Sequence, residues 1–123
     1  MRRWAAAWAA GALFLVAIGS VRAGDVYCGS FRCFVIRASH GNRSAETRSN
    51  LAMDVLNKYL GGRTGKFDLR TRGQVVDILL NGDVVVTVTP ADARAAQQRS
   101  VRALANAWRQ ALARAFEETK AQK

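Results

Sequence analysis

The 123-residue chain offers little to metal, redox or acid–base chemistry: two cysteines, one histidine and nine acidic residues. Cys28 and Cys33 are separated by four residues, which matches neither the C-x-x-C redox spacing nor the C-x-x-C-H of haem attachment. Adding His40 gives three potential ligands at a spacing no standard zinc site uses, with no fourth. The acids are scattered, and Glu46 and Asp92 stand where helices start, so no pair of carboxylates is set up for general acid–base work. Residues 61–66 superficially resemble a phosphate-binding loop, but they lack its Gly-x-x-x-x-Gly-Lys-Ser/Thr spacing and follow a helical pattern instead of a strand. Rossmann, TIM-barrel and P-loop architectures need more chain than this. No internal repeat, low-complexity linker or second long apolar run is present. These absences point away from an enzyme and from any cofactor or metal. His40, in a polar stretch with Ser39 and Asn42, reads as a solvated turn residue, and Asn42 reads as turn chemistry although it heads an Asn-x-Ser triplet.

What is present begins with a leader. Arg2 and Arg3 precede an apolar, uncharged run over residues 4–18, and Val21-Arg22-Ala23 places small residues where signal peptidase reads them. The run is shorter than the ~20 residues a bilayer span requires. Residues 1–23 are therefore expected to be a cleaved signal peptide, and residues 24–123 one small domain in the periplasm or outside the cell. No small-residue lipobox precedes Cys28. Export turns the cysteine pair towards oxidation, so a disulfide between Cys28 and Cys33 is expected, with free or intermolecular thiols as the alternative. Closing so short a loop restrains the unfolded chain only modestly.

Within the mature chain, residues 33–38 read as a first strand bounded by Gly29-Ser30 and by Ser39 to Asn42. Ser44 is positioned to cap a helix, Glu46 suits its first turn, and Leu51, Ala52, Val55, Leu56, Tyr59 and Leu60 supply an apolar face. Gly61-Gly62 is expected to end that helix through a left-handed glycine. Two β-rich runs flank Asn81-Gly82, the signature of a type I′ hairpin. A plain two-residue loop pairs Leu80 with Asp83, Leu79 with Val84 and Ile78 with Val85, which puts Val85 and Thr87 on the face of Val76, Ile78 and Leu80. Phe67 and Leu69 read as a strand running into, or bulged from, the first arm. Thr89-Pro90-Ala91-Asp92 is a helix start. That helix either continues to the end or stops near Gln98, with Ser100 capping another. Val101, Leu104, Ala105, Trp108, Leu112, Ala115 and Phe116 form its apolar stripe, with Trp108 read as core and residues 117–123 as frayed.

The predicted fold is α+β: a three-stranded antiparallel or mixed sheet with two amphipathic helices on one face, in the order strand, helix, hairpin, helix. Basic residues number 19, a formal net charge of +10, of which +7 remains once Arg2, Arg3 and Arg22 are removed with the leader. Such a surplus concentrates anionic partners near the surface. The basic residues are dispersed, and Arg63, Lys66, Arg70 and Arg72 are the nearest approach to an anion-binding cluster. No aromatic ladder accompanies them for base stacking.

The segment from Asp77 through Ala93, the run from Ala103 to Trp108, and the helix opening Ser44-Ala45-Glu46-Thr47-Arg48 together resemble a small extracytoplasmic domain. That domain lies N-terminal to the membrane region in cyanobacterial-type, small-conductance mechanosensitive channel proteins. The resemblance covers nearly the whole mature chain. This sequence departs from the pattern by carrying Cys28 and Cys33 and no pore helices, so the resemblance implies an accessory module without channel activity and without catalytic residues. The expected function is that of a secreted or periplasmic, non-enzymatic interaction module that docks an envelope protein. The alternative is a basic binder of anionic lipid, polysaccharide or nucleic acid.

Overall fold

The computed structural model describes residues 24–62 and 65–121; residues 1–23, expected to be a signal peptide, lie outside the described residues. The chain runs β1 (Asp25–Cys28), β2 (Phe31–Val35), α1 (Ala45–Leu60), β3 (Phe67–Arg72), β4 (Val75–Leu80), β5 (Asp83–Val88), α2 (Pro90–Ala95) and α3 (Val101–Ala121). The α+β class stands, but the order differs from strand, helix, hairpin, helix, and there are two antiparallel sheets: a β1–β2 hairpin and a β3–β4–β5 meander.

Both added strands arise from tight turns, of which the sequence reading marked Gly29-Ser30 as a strand boundary and passed over Gly73. Gly29-Ser30 reverses the chain, so that Cys28 pairs with Phe31 and a strand precedes the expected one. The strand predicted over residues 33–38 begins two residues earlier, at Phe31, and ends at Val35. Likewise Phe67–Arg72 is not an extension of the next strand. Gly73, at φ 58°, turns it back so that Arg72 pairs with Val75 and Phe67 with Leu80.

The Asn81-Gly82 turn forms as expected, with φ 54° and 91° at the two positions, the left-handed pair a type I′ turn requires. Leu80 faces Asp83 and Leu79 faces Val84, but a bulge then sets Ile78 opposite Val86, not Val85. One extra residue inverts the alternation beyond it. Val86 and Val88 therefore join Val76, Ile78 and Leu80, and Thr87 moves to the other face beside Asp77.

The inner face of the meander carries Phe67, Leu69, Val76, Ile78, Leu80, Val86 and Val88 by register. Both long helices lie on this side. The Phe67 ring meets Phe116 of α3 edge-on at 5.7 Å, Arg102 of α3 donates to Thr71 at 2.8 Å, and Tyr59 of α1 donates to Asp83 at 2.5 Å. Leu104, Ala105, Trp108, Leu112, Ala115 and Phe116 are all buried as the stripe predicted. A fully buried Leu or Phe contributes about 1.5–3 kcal/mol, so α3 is the main source of core. It also packs on β1 and β2, and so stands between the hairpin and the meander.

Ser44 accepts from the Thr47 amide and caps α1. The buried side of that helix is Arg48, Ser49, Ala52 and Leu56, rotated from the predicted stripe and leaving Leu51 exposed. Gly61 is right-handed, φ −83°, not left-handed; the turn closes instead through the Gly62 amide donating to the Tyr59 carbonyl. At the other junction the helix breaks: Gln97 takes φ 57°, and the Ser100 hydroxyl accepts from the Ala103 amide to start α3. The end of α3 is not frayed from Glu117 onwards, since the helix runs to Ala121 and the Thr119 hydroxyl donates to the Ala115 carbonyl at 2.8 Å.

Candidate functional site: the groove along the edge of β5

The site is built on a buried ion pair. Thr89 and Asp92 form a reciprocal capping box at the start of α2, which leaves the outer side of the Asp92 carboxylate free to accept from another element. Arg48, on the inner side of α1, meets it with both nitrogens at 2.8 and 2.7 Å. The same guanidinium donates at 2.7 Å to the Ala38 carbonyl and at 2.7 Å to that of Thr87. Only 5% of the Arg48 side chain and 1% of the Asp92 side chain are exposed. A buried charge pair is tolerated when its lone pairs and protons find partners in this way. Arg48 thereby ties α1, the end of β5, α2 and the segment after β2 at one point.

From that point a groove of about 330 Å³ runs along β5, with Val84, Val85, Val86 and Thr87 on one side and Leu51, Asp54 and Val55 of α1 on the other. His40 and Arg43 stand at its rim, held by reciprocal backbone hydrogen bonds of 2.9 and 3.0 Å; both are exposed. β5 pairs with β4 alone and is an edge strand. Leu51 and Val84, each 40% exposed, are the exposed large hydrophobic side chains among the described residues, and both line this groove.

Beyond Val84, Asp83 receives the Tyr59 hydroxyl and, at 3.1 Å, the Lys58 ammonium. The Tyr59 hydrogen bond first, then Lys58, holds the Asp83 carboxyl below the usual carboxylate range. In return, Asp83 raises the Tyr59 and Lys58 pKa values.

The four candidate anion-binding residues are not gathered into one open cluster. Arg63 lies outside the described residues. Lys66 contributes its backbone, donating to the Asn81 side chain at 3.0 Å. Arg70 and Arg72, two apart on β3, do share the outer face of the meander, where both converge on Asp77. Arg70 reaches it at 2.7 and 3.1 Å, Arg72 at 2.6 and 3.0 Å, and the Thr87 hydroxyl at 2.7 Å. Asp77 is fully buried beneath them, while the arginine side chains are 51% and 54% exposed. The Arg72 guanidinium, with Thr87 and Arg70, holds the Asp77 carboxyl far below the usual range against the cost of burial. The two arginines are thus partly neutralised by a carboxylate of the chain itself. Without β3 as a separate strand this cluster could not be foreseen, although the Arg-x-Arg alternation was a signal for it.

Cys28 is buried and Cys33 half-buried; the disulfide expected between them is not seen, both thiols being free, and the Cys33 thiol donates to the Phe31 carbonyl at 3.7 Å. Among the described residues, no three His, Cys, Asp or Glu side chains gather into a metal-holding group, and no helix is long and apolar enough to cross a membrane.

These features define a small α+β domain with a groove beside an open sheet edge. Residues 25–119 match the family described as domain of unknown function DUF8459, and the chain belongs to that family. No curated protein and no solved structure matches it.

Proposed function

We propose that this protein is an exported, non-enzymatic interaction module that docks an extended segment of a protein partner in the groove between α1 and β5. The observation that carries this reading is the convergence of Leu51 and Val84, both 40% exposed, on one groove beside an unpaired strand edge. Edge strands are commonly protected by lysine, proline or very short length, and β5 has six residues with neither Lys nor Pro among them. An incoming strand gains main-chain hydrogen bonds from such an edge and specificity from flanking side-chain pockets. The resemblance to a channel-associated extracytoplasmic domain agrees with an accessory role. The second reading, a basic binder of anionic envelope components, draws on the net charge of +10, or +7 without residues 1–23, but Arg70 and Arg72 already share the Asp77 carboxylate.

Capture from an envelope extract with the parent protein and with Val84→Lys separates the two. One protein retained stoichiometrically by the parent and lost with Val84→Lys supports groove docking. Lipid or polysaccharide retained equally by both, and released by salt, supports the basic-surface reading.

A further inference from the structure

We propose that Cys28 and Cys33 form a thiol–disulfide exchange couple, in which Cys33 meets the incoming disulfide from the cleft between β2 and α3, and Cys28 closes the bridge. The β-hairpin places the two residues on adjoining strands. Cys28 pairs with Phe31, and a bulge between Val26 and Tyr27 leaves Cys33 without a direct partner. A bulge re-aims the side chain it carries, and here the Cys33 thiol donates at 3.7 Å to the carbonyl of Phe31, the residue that pairs with Cys28.

Their surroundings differ in a way that divides the work. Cys28 has no exposed surface and its carbonyl accepts from the Thr119 hydroxyl at 3.3 Å, so no bulky oxidant reaches its sulfur. Cys33 is half-buried and lines a cleft of about 210 Å³ together with Phe31, Arg32, Ala111, Arg114 and Glu118. Two guanidiniums against one carboxylate favour an anionic oxidant there. The Cys33 and Thr119 hydrogen bonds lower the Cys28 pKa, while Cys28 and burial raise that of Cys33. The two thiols titrate as a coupled pair, and exposure decides which sulfur meets the oxidant: of the two, only Cys33 lines the cleft.

The exchange balances with a small-molecule or protein disulfide as oxidant. The Cys33 thiolate attacks one sulfur of that disulfide, whose S–S bond breaks and releases one thiol, leaving a mixed disulfide at Cys33. The Cys28 thiolate then attacks the Cys33 sulfur and expels the second thiol. Two protein thiols become one intramolecular disulfide, and the two electrons and two protons leave in the two released thiols.

Incubation of the reduced, folded protein with oxidised glutathione, followed by intact-mass analysis, tests this. The parent should lose two hydrogens and retain no glutathione. Cys28→Ser should gain one glutathione, mapped to Cys33, because nothing resolves it. Cys33→Ser should gain none while folded and one when unfolded in denaturant. Parent thiols that stay free, or Cys33→Ser modified as readily as Cys28→Ser, would overturn the proposal. Should a serine variant fail to fold, competitive alkylation of the reduced parent still decides: Cys33 labelled before Cys28 supports the couple, and Cys28 labelled first or equally sinks it.

Discussion

The indole of Trp108 lies flat against the ring of Phe34, with centroids 4.1 Å apart and planes 9° from parallel. This stack joins the β1–β2 hairpin to α3, whose neighbouring residues also cover the meander. The interaction is thus both core packing and the seam between two sheets. Replacing a buried tryptophan by alanine costs about 3–5 kcal/mol, and each kcal/mol moves the midpoint of a domain this size by about 4–8 °C. Trp108→Ala should therefore lower Tm by more than about 12 °C, measured by circular dichroism. An unchanged Tm with loss of partner capture would instead make Trp108 part of a binding surface.

Arg48 and Asp92 should behave as one unit. Removing either partner of a buried ion pair leaves an uncompensated charge, at a cost of about 3–5 kcal/mol. Arg48→Met and Asp92→Asn should each destabilise strongly, and the double variant should lose much less than the sum, as coupled neighbours do. Urea titration of the four proteins measures this, and additive losses would show that the two side chains do not act on each other.

The contrast between these two features explains how far the sequence could be read. Trp108 and the stripe from Leu104 to Phe116 were legible because helical periodicity is a local property, and the same holds for the Ser44 cap, the Thr89–Asp92 box and the Asn81-Gly82 turn. Arg48 was not legible as a clamp, since its partner is 44 residues away and nothing nearby distinguishes a buried arginine from a solvated one. The bulge in β5 was also hidden. A run of three valines gives no alternation to violate, so nothing opposed the plain register that set Ile78 opposite Val85, and the faces of Val86, Thr87 and Val88 were exchanged. The groove depends on that exchange and on the rotation of α1 that exposes Leu51. For that reason the site emerged only from the assembled fold, whereas the separate cysteine pair was visible as spacing.

Asp77 should give the protein an acid-sensitive stability. Its carboxyl is held below the ordinary value, first by Arg72, so the folded state binds the proton more weakly than the unfolded chain does. The resulting stabilisation is fully present above the unfolded pKa, about 3.9, and is lost as pH falls through the lower folded value. Tm should therefore decline below about pH 4. Asp77→Asn should be less stable than the parent at neutral pH and show a shallower decline in acid, with the contribution of Asp83 remaining. Parallel Tm–pH profiles for parent and variant would mean that another carboxylate controls the acid limb.

The Asn81-Gly82 turn should fix the register that builds the groove. Gly82 sits at φ 91° with open space around it, so a substitution there meets backbone strain and not a clash. A β-branched residue at positive φ costs on the order of 1–3 kcal/mol. The strain can be relieved only by changing the turn, and the bulge between the turn and Val86 already shows that β5 can take up an extra residue. A turn altered by one residue would return Val86 and Val88 to the outer face and expose valines now in the core. Gly82→Val should therefore lower Tm and yield mixed conformers or aggregates, seen as doubled amide resonances and early elution on size exclusion. Gly82→Asn, which tolerates the left-handed region, should retain one set of resonances with a smaller loss of stability. If Gly82→Val instead gives a single monomeric species melting with the parent, the register is set by burial of the inner face and not by the turn.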